Sequence, residues 1–199
     1  MNHIALVGTV LNNPVFSHIC YNKKFYHFFL KISRESGTLD TLRCVCEQEY
    51  ATRLCPGDRV GVYGQIHTRN VHESGKSLLI VYVLCKKIAQ TDAPDTNIVE
   101  MSGYICKEPR YRITQFSNRK VCDLIIACDR EYEKNDYIPT IAWGKCAKYA
   151  KGFEVGTKIT LSGRMQSREY IKKLEDGTEV SKTAYEVSAL EIERDDNNG

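Results

Sequence analysis

The sequence lacks the features that mark several classes of protein. It has no run of eighteen apolar residues, and its first residues show no basic segment followed by an apolar one. Both absences argue against a membrane span or a secretion signal, so a cytoplasmic protein is expected. The sequence also has no glycine-rich phosphate loop, no HExxH and no G-x-S-x-G, and it therefore predicts no enzyme.

The nine cysteines are an odd number and include no CxxC pair. Zinc held by Cys44 and Cys46 with a further cysteine and a histidine is an alternative, but a C-x-C within a strand places both thiols on one face rather than around a metal. Buried free thiols are the simpler interpretation, and no cofactor is predicted. The cysteines inside apolar strand patterns are Cys44, Cys46, Cys85, Cys122 and Cys128.

The net charge is only +3, which is too small to indicate a polyanionic partner by itself. More informative is an internal repeat, since the chain matches itself at a shift of about 95 to 104 residues. The matched pairs are Gly8 and Gly103, Pro14 and Pro109, Arg34 and Arg130, Gly57 and Gly156, Gly64 and Gly163, Arg69 and Arg168, and Ile88 and Ile192.

A repeat of about one hundred residues has the size of a small domain. The sequence therefore predicts a first domain at 1–91, a polar linker at 92–97, a second domain at 98–193 and a tail at 194–199.

Each repeat divides into five β-rich segments with a short helical pattern between the third and fourth. This order predicts an all-β protein of two tandem five-stranded OB-fold barrels, each with one short helix. The predicted strands are 2–11, 24–34, 41–46, 59–71 and 77–88 in the first repeat, and 99–106, 121–130, 137–143, 158–171 and 182–192 in the second. The predicted helices are 47–54 and 145–151.

Strand four carries one apolar and one polar face, because side chains alternate along a strand. In the second repeat the polar face holds Arg164, Arg168 and Tyr170, and in the first it holds Arg59, His67 and Arg69. Cations interleaved with aromatics suit single-stranded nucleic acid, because the cations neutralise its phosphates and its bases stack on the aromatic rings. An ordinary solvated sheet face explains the pattern equally well.

Strand three of the second repeat favours the binding interpretation. If Ile138 and Ala142 face the core, then Trp143, the one tryptophan, stands on the outer face with Tyr137 and Ile141. The alternative is an inverted parity or a bulge that leaves Trp143 in the core.

Several motifs of the second repeat are specific in combination: Ser102-Gly103, Glu108-Pro109, LIIACDR at 124–130, YIPTIAWG at 137–144 and, above all, GRMQSREY at 163–170. With these motifs the second repeat, 97–192, resembles the bacterial single-stranded DNA-binding protein family. This resemblance implies that bases stack on Tyr132, Tyr137, Trp143 and Tyr170. It also implies that phosphates meet Lys145, Arg164, Arg168, Lys172 and Lys173.

The first repeat departs from this pattern. Thr41, Glu47 and Val71 stand where the second repeat has Tyr137, Trp143 and Tyr170. Its own aromatics are consecutive on strand two and must occupy both faces, so filling the core or an interface between barrels is expected for most of them, while some could stack bases. These aromatics are Phe25, Tyr26, Phe28 and Phe29.

The predicted function is to coat and protect single-stranded DNA, with little sequence specificity, in replication, recombination and repair. The alternatives are a primosomal or phage accessory protein in which one barrel binds DNA and the other a protein, and a barrel pair that binds only protein or oligosaccharide. The resemblance implies four barrels, here a homodimer associated with the nucleoid. Replication or repair proteins are further possible partners, although the sequence ends at 193–199 without the acidic, Phe-containing tip through which the family recruits them.

Overall fold

The computed structural model describes residues 1–73, 76–115, 117–130, 134–173 and 177–195. These residues form twelve strands and two short helices. The strands are β1 (Asn2–Val10), β2 (Val15–Cys20), β3 (Lys23–Ser33), β4 (Leu39–Glu47), β5 (Arg59–Glu73), β6 (Lys76–Gln90), β7 (Thr96–Ile105), β8 (Arg110–Ile113), β9 (Lys120–Arg130), β10 (Lys134–Trp143), β11 (Lys158–Lys173) and β12 (Glu179–Arg194). The helices are α1 (Gln48–Ala51) and α2 (Gly144–Ala150).

The strand order reads the same from both ends. It runs β2-β3-β4-β6-β5-β1 through the first repeat and continues β7-β11-β12-β10-β9-β8 through the second. The additional pairings β1–β3 and β7–β9 close each half into a barrel, and β4–β6 and β10–β12 are the parallel pairs. Tandem OB-type barrels in an all-β chain are thus confirmed.

Alternation of side chains fills the barrel interiors. Along β1 every second residue from Asn2 to Val10 is buried, and β11 buries Ile159, Leu161 and Met165 on one face. The face predicted from the sequence of strand four therefore points into the core.

One pair of matched glycines marks a point of close backbone approach in each barrel. A Cβ on Gly64 would overlap the carbonyl oxygen of Leu84, and one on Gly163 would overlap that of Ser188. At both positions the register of the strand pair shifts, as in a β-bulge. The repeat preserves these glycines because both barrels bend at the same place.

The two repeats join through β1 and β7, which pair antiparallel. Ile4 lies opposite Val99, its own counterpart, and Asn2 opposite Met101 mirrors Leu6 opposite Asn97. The pairing is symmetric about its centre, which is the pattern of two identical subunits around a twofold axis.

Two buried carboxylates strengthen this junction. Asp40 is fully buried, pairs with Arg34 at 2.6 Å, and accepts a hydrogen bond from the Ser167 N–H at 2.9 Å in the other repeat. In the counterpart arrangement Asp136 pairs with Arg130 and accepts from the Thr68 N–H.

The same exchange is continued by hydroxyl groups. The Thr41 N–H donates to Ser167 Oγ at 2.9 Å, and the Tyr137 N–H donates to Thr68 Oγ1 at 3.0 Å. The match of Arg34 with Arg130 in the sequence therefore records a shared role in joining the repeats.

The structure adds one strand to each predicted five-stranded barrel. β2 and β8 were not predicted, and they form the two outer edges of the sheet. The strand β7 starts at Thr96, so the last two residues of the predicted linker lie in the sheet. The division into two domains at 91 and 98 stays a prediction.

Other predictions concern helices and thiols. α1 is shorter than predicted, with four residues. Neither helix formed by the described residues is long and apolar enough to cross a membrane. Cys44, Cys46, Cys85, Cys122 and Cys128 are buried free thiols, as predicted.

Candidate nucleic-acid interface

The strand β10 directs two aromatic side chains outward at opposite ends. Ile138 and Ala142 are fully buried, so the alternating positions Tyr137 and Trp143 lie on the outer face. The predicted parity of this strand is therefore confirmed, and the alternative of a core tryptophan is wrong. Tyr137 is 47% exposed, and Trp143 is half-buried in the wall of a groove. Ile141, predicted to be an exposed neighbour, is instead buried.

The groove that contains Trp143 has a volume of about 1580 Å³ and is lined by both repeats. It is the larger of two related grooves, one on each side of the molecule. Trp143, Arg164, Gln166 and Arg168 come from the second repeat, on β10 and β11. The first repeat provides its opposite wall from β2, β3, β4 and the loops that precede β2 and β4. The other side chains with a ring or a positive charge in its lining are His27, Phe29, Arg34, Arg119, Lys120 and Tyr185.

Positive charge dominates the larger groove. Arg34 is held by Asp40, and Arg168 Nε lies 3.6 Å from Glu186 Oε1 while its side chain stays 56% exposed. Within the described part of the chain, Arg164, Arg119 and Lys120 have no ion-pair partner. Glu169 is the one acidic residue among the described residues of the lining. Such a surface attracts an anionic chain such as a phosphodiester backbone.

The end of β11 continues beyond the groove as an exposed arm. The Arg168 guanidinium lies 6.0 Å from the centre of the Tyr170 ring, and Tyr170 is 36% exposed. Lys172 is exposed, and Lys173 forms a surface ion pair with Glu179 at 3.2 Å. Cations and an aromatic ring therefore follow one line from the groove to the end of the strand.

The pseudo-twofold arrangement places a counterpart groove on the opposite side of the molecule. Its volume is smaller, about 610 Å³, and it contains Tyr137, Arg69, Arg130 and Lys134. A separate pocket of about 430 Å³ beside it contains His67 and Tyr82. The larger groove is one continuous cavity, whereas the counterpart side of the molecule has two separate cavities.

His67 and Tyr82 explain the division. Their ring centres are 5.9 Å apart, and they occupy the places that Gln166 and Glu186 take in the second repeat. Burial lowers the pKa of His67 to about 4 against the opposing effect of Asp136, so its ring is neutral at pH 7. Burial also raises the pKa of Tyr82. The packed rings of His67 and Tyr82 thus divide the counterpart side. Gln166 and Glu186, at the matching positions, leave the larger groove open.

Two residues that were predicted to lie on an exposed basic face, His67 and Arg59, have other positions in the structure. His67 is 6% exposed because Arg130 and Asp136 of the second repeat cover it, so the prediction that it lies on an exposed basic face and gains charge there at low pH is wrong. Arg59 donates to the Ala93 carbonyl and to Asp95 Oδ1, both at 2.7 Å, and lines neither groove. Its role in the structure is to hold the connection between the repeats.

The other predicted residues divide as follows. Trp143, Arg164 and Arg168 meet in the larger groove, and Arg69 and Tyr137 meet in the smaller one. Lys145 is exposed in the first turn of α2. Tyr132 lies outside the described residues.

Sequence reasoning missed several residues of the larger groove. Arg119 and Lys120 occupy the start of β9, and a basic pair, Lys23 and Lys24, stands at the matching place in the first repeat. That shared pair was an available signal. The contribution of Phe29 had no such signal, since the packing of one repeat against the other creates it.

Comparison with known proteins gives consistent matches. Residues 96–195 match the model of the single-strand binding protein family. The chain is 34% identical to a single-stranded DNA-binding protein of Clostridium tetani over 88 residues, which are 41% of this chain and 59% of that protein. It is 33% identical to single-stranded DNA-binding protein 3 of Clostridium acetobutylicum over 111 residues, covering 51% of this chain and 76% of that protein.

A solved structure resembles the whole chain. The wild-type single-stranded DNA binding protein from Thermus aquaticus superposes with a TM-score of 0.77 at 20% identity, covering 98% of this chain and 92% of that one. At this identity the likeness shows a shared fold of two barrels.

Proposed function

Because the chain belongs to the single-strand binding protein family, we propose that it binds single-stranded DNA and coats it with little sequence specificity. The observation that carries this proposal is the larger groove, where Trp143 lies beside Arg164 and Arg168. The ring of Trp143 can stack on any base, and the arginine side chains can neutralise any phosphate. Such a groove does not distinguish between sequences. This favours a protective role in replication, recombination and repair.

Trp143 provides the test. Titration with oligo-dT is expected to quench its fluorescence, because a base stacks on the indole. Affinity should fall with salt, with a slope of about −0.7 per phosphate contact in a plot of log K against log salt. Absence of both quenching and salt-dependent binding would contradict the proposal.

Variants locate the site. Arg164→Gln is expected to weaken binding and to reduce the salt slope, because one phosphate contact is lost. Arg112→Gln is the matched control, since Arg112 is engaged with Asp123 at 2.8 Å and is absent from both grooves. Equal effects of the two variants, measured by fluorescence anisotropy of a labelled oligonucleotide, would argue against a specific groove.

We also propose that the protein acts as a homodimer with four barrels, located in the cytoplasm with the nucleoid. The proposal rests on the tandem barrels, because two chains of two barrels each supply the four barrels that the family resemblance implies. Sedimentation should give about twice the chain mass of 22.7 kDa. A mass of one chain at micromolar concentration would contradict it.

A further inference from the structure

The first repeat presents an aromatic row on its outer face. Along β3, Phe28, Leu30 and Ile32 are buried in the core, so the alternating residues Phe25, His27 and Phe29 point outward and are only half-buried. Their counterparts at the matching positions of β9 are Val121, Asp123 and Ile125. The row is therefore a property of the first repeat alone.

Cations lie beside this row. Arg43 is directly opposite Phe29 in the β3–β4 pair and so shares its face. Arg43 and Arg69 together line a small cleft with His18 and Tyr82. Neither arginine has an ion-pair partner among the described residues, which leaves their charge available to an anion.

The middle residue of the row is a neutral ring at physiological pH. Burial, reinforced by the charges of Arg43 and Arg69, lowers the pKa of His27. The ring of His27 lies edge-on to that of Phe29, with centres 6.3 Å apart. Neutral rings bind the bases of a single strand by stacking, and neighbouring guanidinium groups bind its phosphates.

The row connects with the larger groove at one end and extends away from it at the other. His27 and Phe29 line the groove that contains Trp143, whereas Phe25 lines the pocket of about 430 Å³ with Tyr21 and Tyr82. Phe25 also stacks against His18, with ring centres 5.0 Å apart and planes 7° apart. A DNA strand leaving Trp143 would therefore meet flat side chains along β3 from Phe29 to Phe25.

Resting on the proposed function, we propose that Phe25, His27 and Phe29 form a second stacking surface, on which the first repeat holds the continuation of a DNA strand bound at Trp143. The stacking residues lost from β4 and β5, at Thr41, Glu47 and Val71, are replaced by residues of β3. The first repeat binds DNA with β3, whereas the second repeat uses β10 and β11. Arg43 and Arg69 are the phosphate contacts of the first repeat.

The test compares two lengths of oligo-dT. An oligonucleotide of about eight bases fits one barrel, and one of about thirty spans both. Phe25→Leu keeps an apolar side chain but removes the flat ring, and Phe25 does not line the larger groove. The variant is expected to bind the long oligonucleotide about tenfold more weakly and the short one as the native chain does.

Further variants and a control sharpen the result. Phe29→Leu should weaken binding of the long oligonucleotide at least as much, since Phe29 also borders the groove. Tyr149→Leu removes a more exposed aromatic ring on α2, which packs against strands of the second repeat, and should leave both affinities unchanged. Denaturation midpoints of all variants verify that they are folded.

The outcomes separate the two proposals. If both β3 variants bind the long oligonucleotide like the native chain while Trp143 is still quenched, the second surface is refuted and the proposed function stands. If native Trp143 responds to neither oligonucleotide, the proposed function itself fails. Photo-crosslinking of a long 5-iodouracil oligonucleotide supports the surface when adducts occur on 25–29, and refutes it when all adducts lie in the second repeat.

Discussion

At the scale of single residues, environment rather than residue type decides what an ionisable group does. His67 carries the side chain of a pH-responsive contact, but burial, reinforced by the charge of Arg130 and opposed by that of Asp136, lowers its pKa to about 4. In the unfolded chain the pKa of histidine returns to about 6.5. Between these values the unfolded state binds more protons than the folded state.

His67 therefore makes folding dependent on pH. The free energy of unfolding should decrease as pH falls from about 6.5 to about 4, and His67 should contribute no slope above that range. In His67→Gln, which introduces the residue found at the matching Gln166, this part of the slope should vanish. Urea denaturation of both proteins from pH 4 to pH 8 isolates the effect, and identical slopes would contradict it.

The thiols give a second prediction at this scale. Burial raises the pKa of Cys46 and of Cys128 to about 12 and that of Cys122 to about 11, so these groups are protonated and shielded at pH 8. The native protein should react rapidly with a thiol reagent at the exposed Cys20 and Cys55, and the five buried thiols should react only after unfolding. The double variant Cys20→Ser, Cys55→Ser should lose the rapid phase, and its persistence would show that other thiols are accessible.

At the scale of elements, the matched glycines set the bends of the barrels. Gly64→Ala would force a Cβ onto the Leu84 carbonyl, whereas a Cβ on Gly61, in the same strand, meets its nearest atom at 3.7 Å. We expect Gly64→Ala to lower the free energy of unfolding by about 1–3 kcal/mol and Gly61→Ala to change it by less than about 0.5 kcal/mol. Chemical denaturation measures both, and equal effects would mean that the bulge tolerates a side chain.

The strands that sequence reasoning found are those that bury one face. β1 and β11 alternate cleanly, and their glycines match between repeats. β2 and β8 escaped prediction because each is an edge strand with no residue buried, so no alternation reveals it. Burial patterns detect strands that contribute to a core, and these two contribute mainly backbone hydrogen bonds.

The candidate site was partly predictable for the same reason. Parity correctly placed Trp143, Arg164 and Arg168 on an outer face, but it does not indicate what covers that face. His67 and Arg59 satisfied the pattern, yet the second repeat covers one and the connection between repeats engages the other. Contacts between residues 36 and 69 positions apart leave no local signal.

At the scale of the whole molecule, the buried carboxylates bind the repeats together. Asp40→Ala would leave Arg34 unpaired and the Ser167 N–H without its acceptor, at a cost of about 3–5 kcal/mol. Glu47→Gln removes the exposed pair with Lys23 and should leave the free energy of unfolding nearly unchanged. Urea denaturation measures both, and a small loss for Asp40→Ala would show that this carboxylate contributes little to the junction.

The symmetric pairing of β1 with β7 also has a genetic consequence. In an assembly of identical subunits one codon specifies every copy, so a substitution that improves one surface alters its symmetry mate as well. Here each half of the symmetric junction has its own codons. Phe29 can therefore be retained where Ile125 stands in the other half, and His67 where Gln166 stands, while the junction that both halves share is preserved.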